Sequence, residues 1–292
     1  VTDRLVLLGP DDLHREADIP DNVERIRAIR SIFPDGEQLL TVPEVERIQG
    51  RHVLIAQTTA PPQDTRLFTA CQLVDIAVTA KAASVTCFVP YLCYQRQDRV
   101  TNAGESRGAR MVLRMLGSSG ADRVITVDRH STPSWEGDDL PEVVSFGCAE
   151  PVAALCSADP PDLVVSTDRG GAGRASLIAQ ALSVPVIALD KSKSPERGTY
   201  YERLPEELAH RHLLLVDDVC TSGSTIRPLC AALAALGARL TVVITHVVPT
   251  SQGRLSSIEG VDRLLHSDSC GDHSAPIRLL PLAVDLWSGG LP

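Results

Sequence analysis

Short aliphatic runs at 53–56, 85–89, 124–127, 163–166, 184–189, 213–216 and 240–247 alternate with Ala-, Leu- and Arg-rich stretches of helical length at 67–83, 106–118, 172–182 and 224–236. The runs are continuously apolar rather than alternating, so each predicts a strand buried on both faces. That is the pattern of a parallel sheet covered by helices. The fold class is therefore α/β.

The pattern repeats within the chain. Arg51-His-Val-Leu-Ile-Ala-Gln-Thr-Thr lines up with Arg211-His-Leu-Leu-Leu-Val-Asp-Asp-Val at a constant offset of 160, and a Leu/Ala-rich helix and a further strand follow each copy. A second echo sets Val124-Ile-Thr-Val-Asp-Arg-His against Val164-Val-Ser-Thr-Asp-Arg-Gly. A period this long points to a duplicated domain, since solenoid repeats run about 20–50 residues. Two domains also suit 292 residues at about 150 per domain. The boundaries predicted are 1–145 and 146–292, with the seam between 138 and 150.

Composition narrows the class. Aromatic residues make up only 3% of the chain, which favours a layered aliphatic core over an aromatic-rich sandwich. The net charge of −9 argues against nucleic acid or a membrane surface as partner, because either calls for a basic excess. The eight cysteines form no CxxC pair and no zinc-like cluster, so buried free thiols in a reducing cytoplasm are expected. The apolar patch at 5–8 is too short for a signal segment, and no run approaches membrane-spanning length. Only three of the 28 basic residues are lysines, Lys81, Lys191 and Lys193. Two of them share one tripeptide.

The strongest chemical signal is Leu213-Leu-Leu-Val-Asp-Asp-Val-Cys-Thr-Ser-Gly-Ser-Thr-Ile. A strand delivers Asp217 and Asp218, then Thr221, Ser222, Gly223, Ser224 and Thr225 lead directly into a helix. Small residues at a helix start can turn successive N–H groups and hydroxyls onto a phosphate, and Gly223 permits close approach of the backbone. The two carboxylates can accept hydrogen bonds from vicinal hydroxyls, so the composite fits a sugar phosphate. An ordinary N-capped turn is the plainer alternative, but it needs neither the double Asp nor five small residues. The first copy has Gln57-Thr58 in place of the pair and Pro61-Pro62 in the loop, which leaves one phosphate loop per chain.

This Asp-Asp loop resembles the phosphoribosyl pyrophosphate loop shared by type I phosphoribosyltransferases and ribose-phosphate pyrophosphokinases. Four further stretches resemble the pyrophosphokinase motifs in the expected order: Phe33-Pro-Asp-Gly-Glu37, Pro90 to Arg99 (Pro-Tyr-Leu-Cys-Tyr-Gln-Arg-Gln-Asp-Arg), Thr126-Val-Asp-Arg-His130, and Ser166-Thr-Asp-Arg-Gly-Gly171. The duplication also favours that family. The resemblance implies two tandem phosphoribosyltransferase-type domains, each a mainly parallel sheet flanked by helices, with ATP motifs in the first and the ribose-phosphate loop in the second.

It further implies diphosphoryl transfer from ATP to the anomeric hydroxyl of ribose 5-phosphate, with Mg²⁺ as cofactor. Arg96, Gln97 and Arg99 match ATP-binding positions, and guanidinium forks and an amide suit a polyphosphate and a purine edge; a surface salt-bridge cluster would look similar. Phe33, Asp35 and Glu37 match the adenine loop, which the family often supplies across a subunit interface, so a homo-oligomer is expected. His130 and Asp168 match positions that help to place the metal, which needs few protein ligands.

Asp190-Lys-Ser-Lys matches a mobile loop whose basic residues close over the transferring group, with Lys191 and Lys193 catalytic. Three departures stand out: Lys193 where Arg is usual, Ser192 where another basic residue is usual, and Thr221 where bacterial members commonly have Asp. Gly104-Glu-Ser is similar to the archaeal-type branch. The rival readings are a diphosphokinase for another pentose phosphate, a phosphoribosyltransferase, and a non-catalytic partner of a true synthetase.

Overall fold

The computed structural model describes residues 3–130, 139–194, 198–201 and 203–289. The first part of the chain supplies β1 (Arg4–Leu8), β2 (Glu24–Arg27), β3 (Ile29–Ile32), β4 (Gln38–Thr41), β5 (His52–Ala56), α1 (Gln63–Thr79), β6 (Ser84–Phe88), α2 (Gly108–Ser119), β7 (Arg123–Val127) and β8 (Glu142–Phe146). The second supplies α3 (Ala149–Cys156), β9 (Leu163–Ser166), α4 (Ala172–Leu182), β10 (Val186–Ala188), β11 (Ser192–Ser194), β12 (Gly198–Tyr200), β13 (His212–Cys220), α5 (Ile226–Ala235), β14 (Arg239–Val247), β15 (Arg263–His266) and α6 (Leu280–Trp287).

Two parallel sheets result, ordered β2-β1-β5-β6-β7-β8 and β10-β9-β13-β14-β15. Most of the continuously apolar runs are buried as expected: Val53 to Ala56, Leu163 to Val165, and Leu213 to Val216 are all nearly inaccessible. The run at 184–189 is not, because β10 is the edge strand of its sheet and Val186 is 38% exposed. The offset-160 repeat is a true topological equivalence, because β5 lies between β1 and β6 as β13 lies between β9 and β14. The second echo is not. β7 stands three places from β1 in its sheet, whereas β9 occupies the place of β1 in the other, so those stretches share turn chemistry rather than position.

The chain divides into a first unit of Val1–Phe146, Ser269–His273 and Arg278–Pro292 and a second of Gly147–Asp268 and Ser274–Ile277. The break at 146/147 falls inside the predicted seam. The end of the chain differs from the expectation of a continuous second domain over 146–292: α6 rejoins the first unit. Arg278 grips Asp18 through Nη2 at 2.6 Å, and the Arg4 guanidinium lies 5.8 Å from the centre of the Trp287 ring.

The patch at 5–8 is a central strand, with Leu5, Val6 and Leu7 fully buried. β3 and β4 form a separate antiparallel ribbon. All eight cysteines are buried and free, and burial pushes the Cys93 thiol up to about 12. Among the described residues no helix is long and apolar enough to cross a membrane.

Candidate functional site

In the second sheet, β9 leads through α4 to β10 on one side, and β13 leads through α5 to β14 on the other. The strand order therefore reverses between β9 and β13, and the crevice outside the carboxyl ends of those strands is where open parallel sheets take ligands. Asp168 follows β9, Lys191 follows β10, and Asp217 and Asp218 lie in the last part of β13. That strand runs four residues beyond the apolar stretch 213–216. One sheet edge thus gathers Asp168, Lys191, Asp217 and Asp218.

The Asp pair shares a buried corner. The Asp218 N–H donates to Asp217 Oδ1 at 3.0 Å, and the Val219 N–H to Asp218 Oδ1 at 2.8 Å. Burial, and then the neighbouring Asp218 charge, push the Asp217 carboxyl up to about 7, against an opposing pull from Lys191. Arg174 Nη2 stands 3.7 Å from Asp218 Oδ2, with both side chains largely buried. Two carboxylates crowded together, with the cation nearer one of them, are driven to different proton affinities.

The loop from Thr221 to Thr225 is held by its carbonyls. Cys220 O accepts from Val248 N at 2.8 Å, Gly223 O from Arg227 N at 2.9 Å, and Ser222 O from Arg227 Nε at 3.4 Å. The Gly223 backbone N–H in turn serves the Cys220 thiol. Gly223 has φ +81°, a left-handed conformation that an L side chain resists. Thr221, Ser222 and Ser224 are exposed. Thr225 stands at the N-cap of α5 but makes no side-chain capping bond.

Asp168 Oδ1 accepts from Gly171 N at 3.0 Å and Oδ2 from Lys191 Nζ at 3.2 Å. No three His, Cys, Asp or Glu residues converge on one point among the described residues. A single half-exposed carboxylate nevertheless fits Mg²⁺, which keeps several waters and takes its remaining ligands from substrate phosphates. Lys193 lies in β11, paired with Thr199 of β12. Loop expectation and structure differ here: the lysine loop carries a short antiparallel hairpin.

The first unit places its predicted residues at two separate points. Phe33 to Glu37 form the turn between β3 and β4, closed by Phe33 N to Glu37 O at 2.8 Å and by Glu37 N to Asp35 Oδ1 at 3.1 Å. Phe33 is 49% exposed at this tip, beside the exposed Asp35 and Glu37. Arg96, Gln97 and Arg99 lie in the exposed segment between β6 and α2, and Arg99 is 3.9 Å from Asp98. His130, exposed after β7, donates its backbone N–H to Gln95 Oε1 at 3.1 Å, which ties the Arg96 segment to the His130 turn.

Two residues of the second-unit site are not among those that the sequence motifs point to. Arg174 is the one charged residue of α4, and an isolated charge on an Ala-rich helix is its available signal. Tyr201 donates its hydroxyl to Thr167 O at 2.8 Å, and for it the sequence offers no comparable signal. Ser166, which opens the Ser166–Gly171 motif, gains a structural role: its Oγ donates to Asp168 O at 2.7 Å and so shapes the turn that presents Asp168.

Comparison with known proteins adds the following. Residues 13–120 match the family described as the N-terminal domain of ribose phosphate pyrophosphokinase, and residues 153–269 match the phosphoribosyl transferase domain. The ribose-phosphate pyrophosphokinase of Maricaulis maris is 32% identical over 228 residues, covering 76% of this chain and 73% of that protein. The Hyphomonas neptunium protein of the same name is 30% identical over 262 residues, covering 86% and 83%. The crystal structure of phosphoribosylpyrophosphate synthetase from Mycobacterium smegmatis superposes with a TM-score of 0.81 at 21% identity, over 98% of this chain and 100% of that one. That last likeness bears on the fold.

Proposed function

Because the chain belongs to the ribose-phosphate pyrophosphokinase family, we propose that it transfers the β,γ-diphosphoryl group of ATP to ribose 5-phosphate. The anomeric hydroxyl gives up its proton to solvent as its oxygen bonds to the β-phosphorus, the bond from that phosphorus to the α,β-bridging oxygen breaks, and AMP leaves beside phosphoribosyl pyrophosphate. The observation that carries this reading is the crevice between β9 and β13, which gathers a donor loop, a carboxylate pair, Asp168 and Lys191 at one sheet edge.

The roles follow from chemistry. Thr221, Ser222, Gly223, Ser224 and Thr225 take the 5-phosphate on amides and hydroxyls, aided by the start of α5. Asp217 and Asp218 accept hydrogen bonds from the ribose hydroxyls. Lys191 and Lys193 place positive charge where it develops on the transferring oxygens, and the reaction needs little more than such charge and in-line positioning. Arg96 and Arg99 hold the polyphosphate and Gln97 a purine edge, while Phe33, Asp35 and Glu37 receive adenine, contributed across the interface of a homo-oligomer. Asp168 would hold Mg²⁺, which neutralises phosphate charge when bound. His130 is assigned to metal placement by resemblance, its nitrogen being a softer donor than this ion prefers. Eight buried thiols suit a reducing compartment such as the cytoplasm.

Purified protein mixed with Mg²⁺-ATP and ribose 5-phosphate should yield AMP and phosphoribosyl pyrophosphate in equal amounts. Absence of both, or consumption of phosphoribosyl pyrophosphate with a free base and no need for ATP, would overturn the reading.

A further inference from the structure

The two arms of the lysine hairpin are fastened to one three-residue turn. Thr167, Asp168 and Arg169 follow β9, and each holds a different residue of the hairpin. Asp190, immediately before Lys191, pairs with Arg169, whose Nη2 lies 3.0 Å from Asp190 Oδ2. Lys191 Nζ lies 3.2 Å from Asp168 Oδ2. On the returning arm Tyr201, directly after β12, donates its hydroxyl to the Thr167 carbonyl at 2.8 Å.

These fastenings differ in durability. The Arg169–Asp190 pair is 80% and 73% exposed, and such pairs hold weakly against water and salt. Lys191 must leave Asp168 to reach a phosphoryl oxygen. Tyr201 is different, because its ring packs against the buried core of the second unit, a cluster that includes Leu163, Val165, Leu213 and Leu215. Burial, followed by the charges of Asp217 and Asp168, holds the phenol well above its ordinary proton affinity. It therefore remains a donor throughout the working pH range.

We propose that Tyr201 is a positioning residue for diphosphoryl transfer: its hydrogen bond to the Thr167 carbonyl anchors the returning arm of the hairpin and so sets where Lys191 and Lys193 act at the sugar-phosphate crevice. The proposal rests on the function argued above. It concerns a residue that touches no substrate and works through the lysines, so its signature is a loss of turnover without loss of substrate affinity, a loss that disappears when the lysines are gone.

The test is a Tyr201→Phe variant, which keeps the packed ring and removes one hydroxyl. Its kcat should fall about tenfold, the size expected from one hydrogen bond acting on a transition state, with KM for ribose 5-phosphate and the melting temperature unchanged. In a Lys191→Ala/Lys193→Ala background the same substitution should cost less than about twofold. Independently of activity, hydrogen exchange in peptides spanning 190–201 should quicken about tenfold in Tyr201→Phe. A kcat within twofold of the parent, a rise in KM instead, a full tenfold loss retained without both lysines, or unchanged exchange would each overturn the proposal. A parent protein that releases no AMP would overturn the functional reading, and the exchange measurement would still decide whether Tyr201 anchors the arm.

Discussion

In the first unit the crevice between β1 and β5 is filled by the protein's own charges, whereas in the second the equivalent crevice between β9 and β13 is the one proposed above to take a ligand. Asp12 and Arg15 are both fully buried and paired at 2.5 Å, and Asp12 also accepts the backbone N–H of Thr58. Asp11 receives Arg30 at 2.9 Å, Arg66 at 3.3 Å and the Gln57 amide at 3.1 Å. Thr58 stands 160 positions before Asp218, so a carboxylate from the loop after β1 binds at the locus that in the second unit carries the Asp pair. A strand-order reversal creates a polar concavity in either sheet. Whether it binds a ligand depends on whether nearby residues have already satisfied it.

The largest expected contrast concerns the lysines. Lys191→Ala should lower AMP release about a thousandfold, by analogy with cations that stabilise transferring phosphoryl groups, with ribose 5-phosphate affinity little altered. Lys81 of the first unit is exposed beyond the end of α1, and Lys81→Ala should leave turnover within twofold. Near-normal turnover in Lys191→Ala would remove the catalytic half of the comparison.

Equivalent loci should then fail in different ways. Asp12→Ala breaks the fully buried pair that Asp12 makes with Arg15 and should cost about 3–5 kcal/mol of stability, the scale for breaking a buried ion pair, read as a lowered urea midpoint. Asp218→Asn should change stability by less than about 1 kcal/mol yet raise KM for ribose 5-phosphate at least tenfold. If both variants lost stability alike, the second crevice would be as structural as the first.

A smaller effect concerns pH. Burial and the Asp218 charge hold Asp217 at about 7 in the folded protein against an ordinary 3.8, so the folded state retains a proton that the unfolded chain releases. Its contribution is fully present below about pH 4 and is lost as pH rises through about 7, on the order of a few kcal/mol at most. The urea midpoint of the parent should therefore fall between pH 5 and pH 8 by more than that of Asp217→Asn. Parallel pH dependence in the two proteins would place the raised affinity elsewhere.

Legibility in the sequence followed the range of the interactions. Strands β5, β6, β7, β9, β13 and β14 were visible because burial on both faces leaves uninterrupted apolar runs. The Asp217–Thr225 loop was visible because its chemistry is contiguous. β1 was hidden inside four apolar residues that also resemble a truncated leader, and only pairing with β2 and β5 makes it central. The ribbon β3–β4 keeps Ile29, Ile32 and Leu39 exposed, so no buried face marked it. The return of α6 to the first unit depends on Arg278 meeting Asp18, 260 positions away. Arg174 and Tyr201 likewise gain their meaning from partners that no local pattern announces.

The mildest test lies in two glycines at the compared crevices. Gly223 needs its freedom for φ +81°, and a Cβ there would lie 2.9 Å from Arg227 Nε, the movable end of an exposed side chain. Gly223→Ala should therefore cost only about 1 kcal/mol, and if the loop takes the 5-phosphate as proposed it should also raise KM for ribose 5-phosphate a few-fold. At Gly9 a Cβ would come 2.1 Å from Gln57 Oε1, and Gln57 is 1% exposed, so it cannot swing into solvent. Gly9→Ala should displace the amide that serves Asp11 and lower the urea midpoint while leaving KM for ribose 5-phosphate unchanged. The two substitutions compare the crevices by steric means alone, with no charge altered. A KM effect at Gly9 equal to that at Gly223 would mean that the first crevice, too, takes part in holding the sugar phosphate.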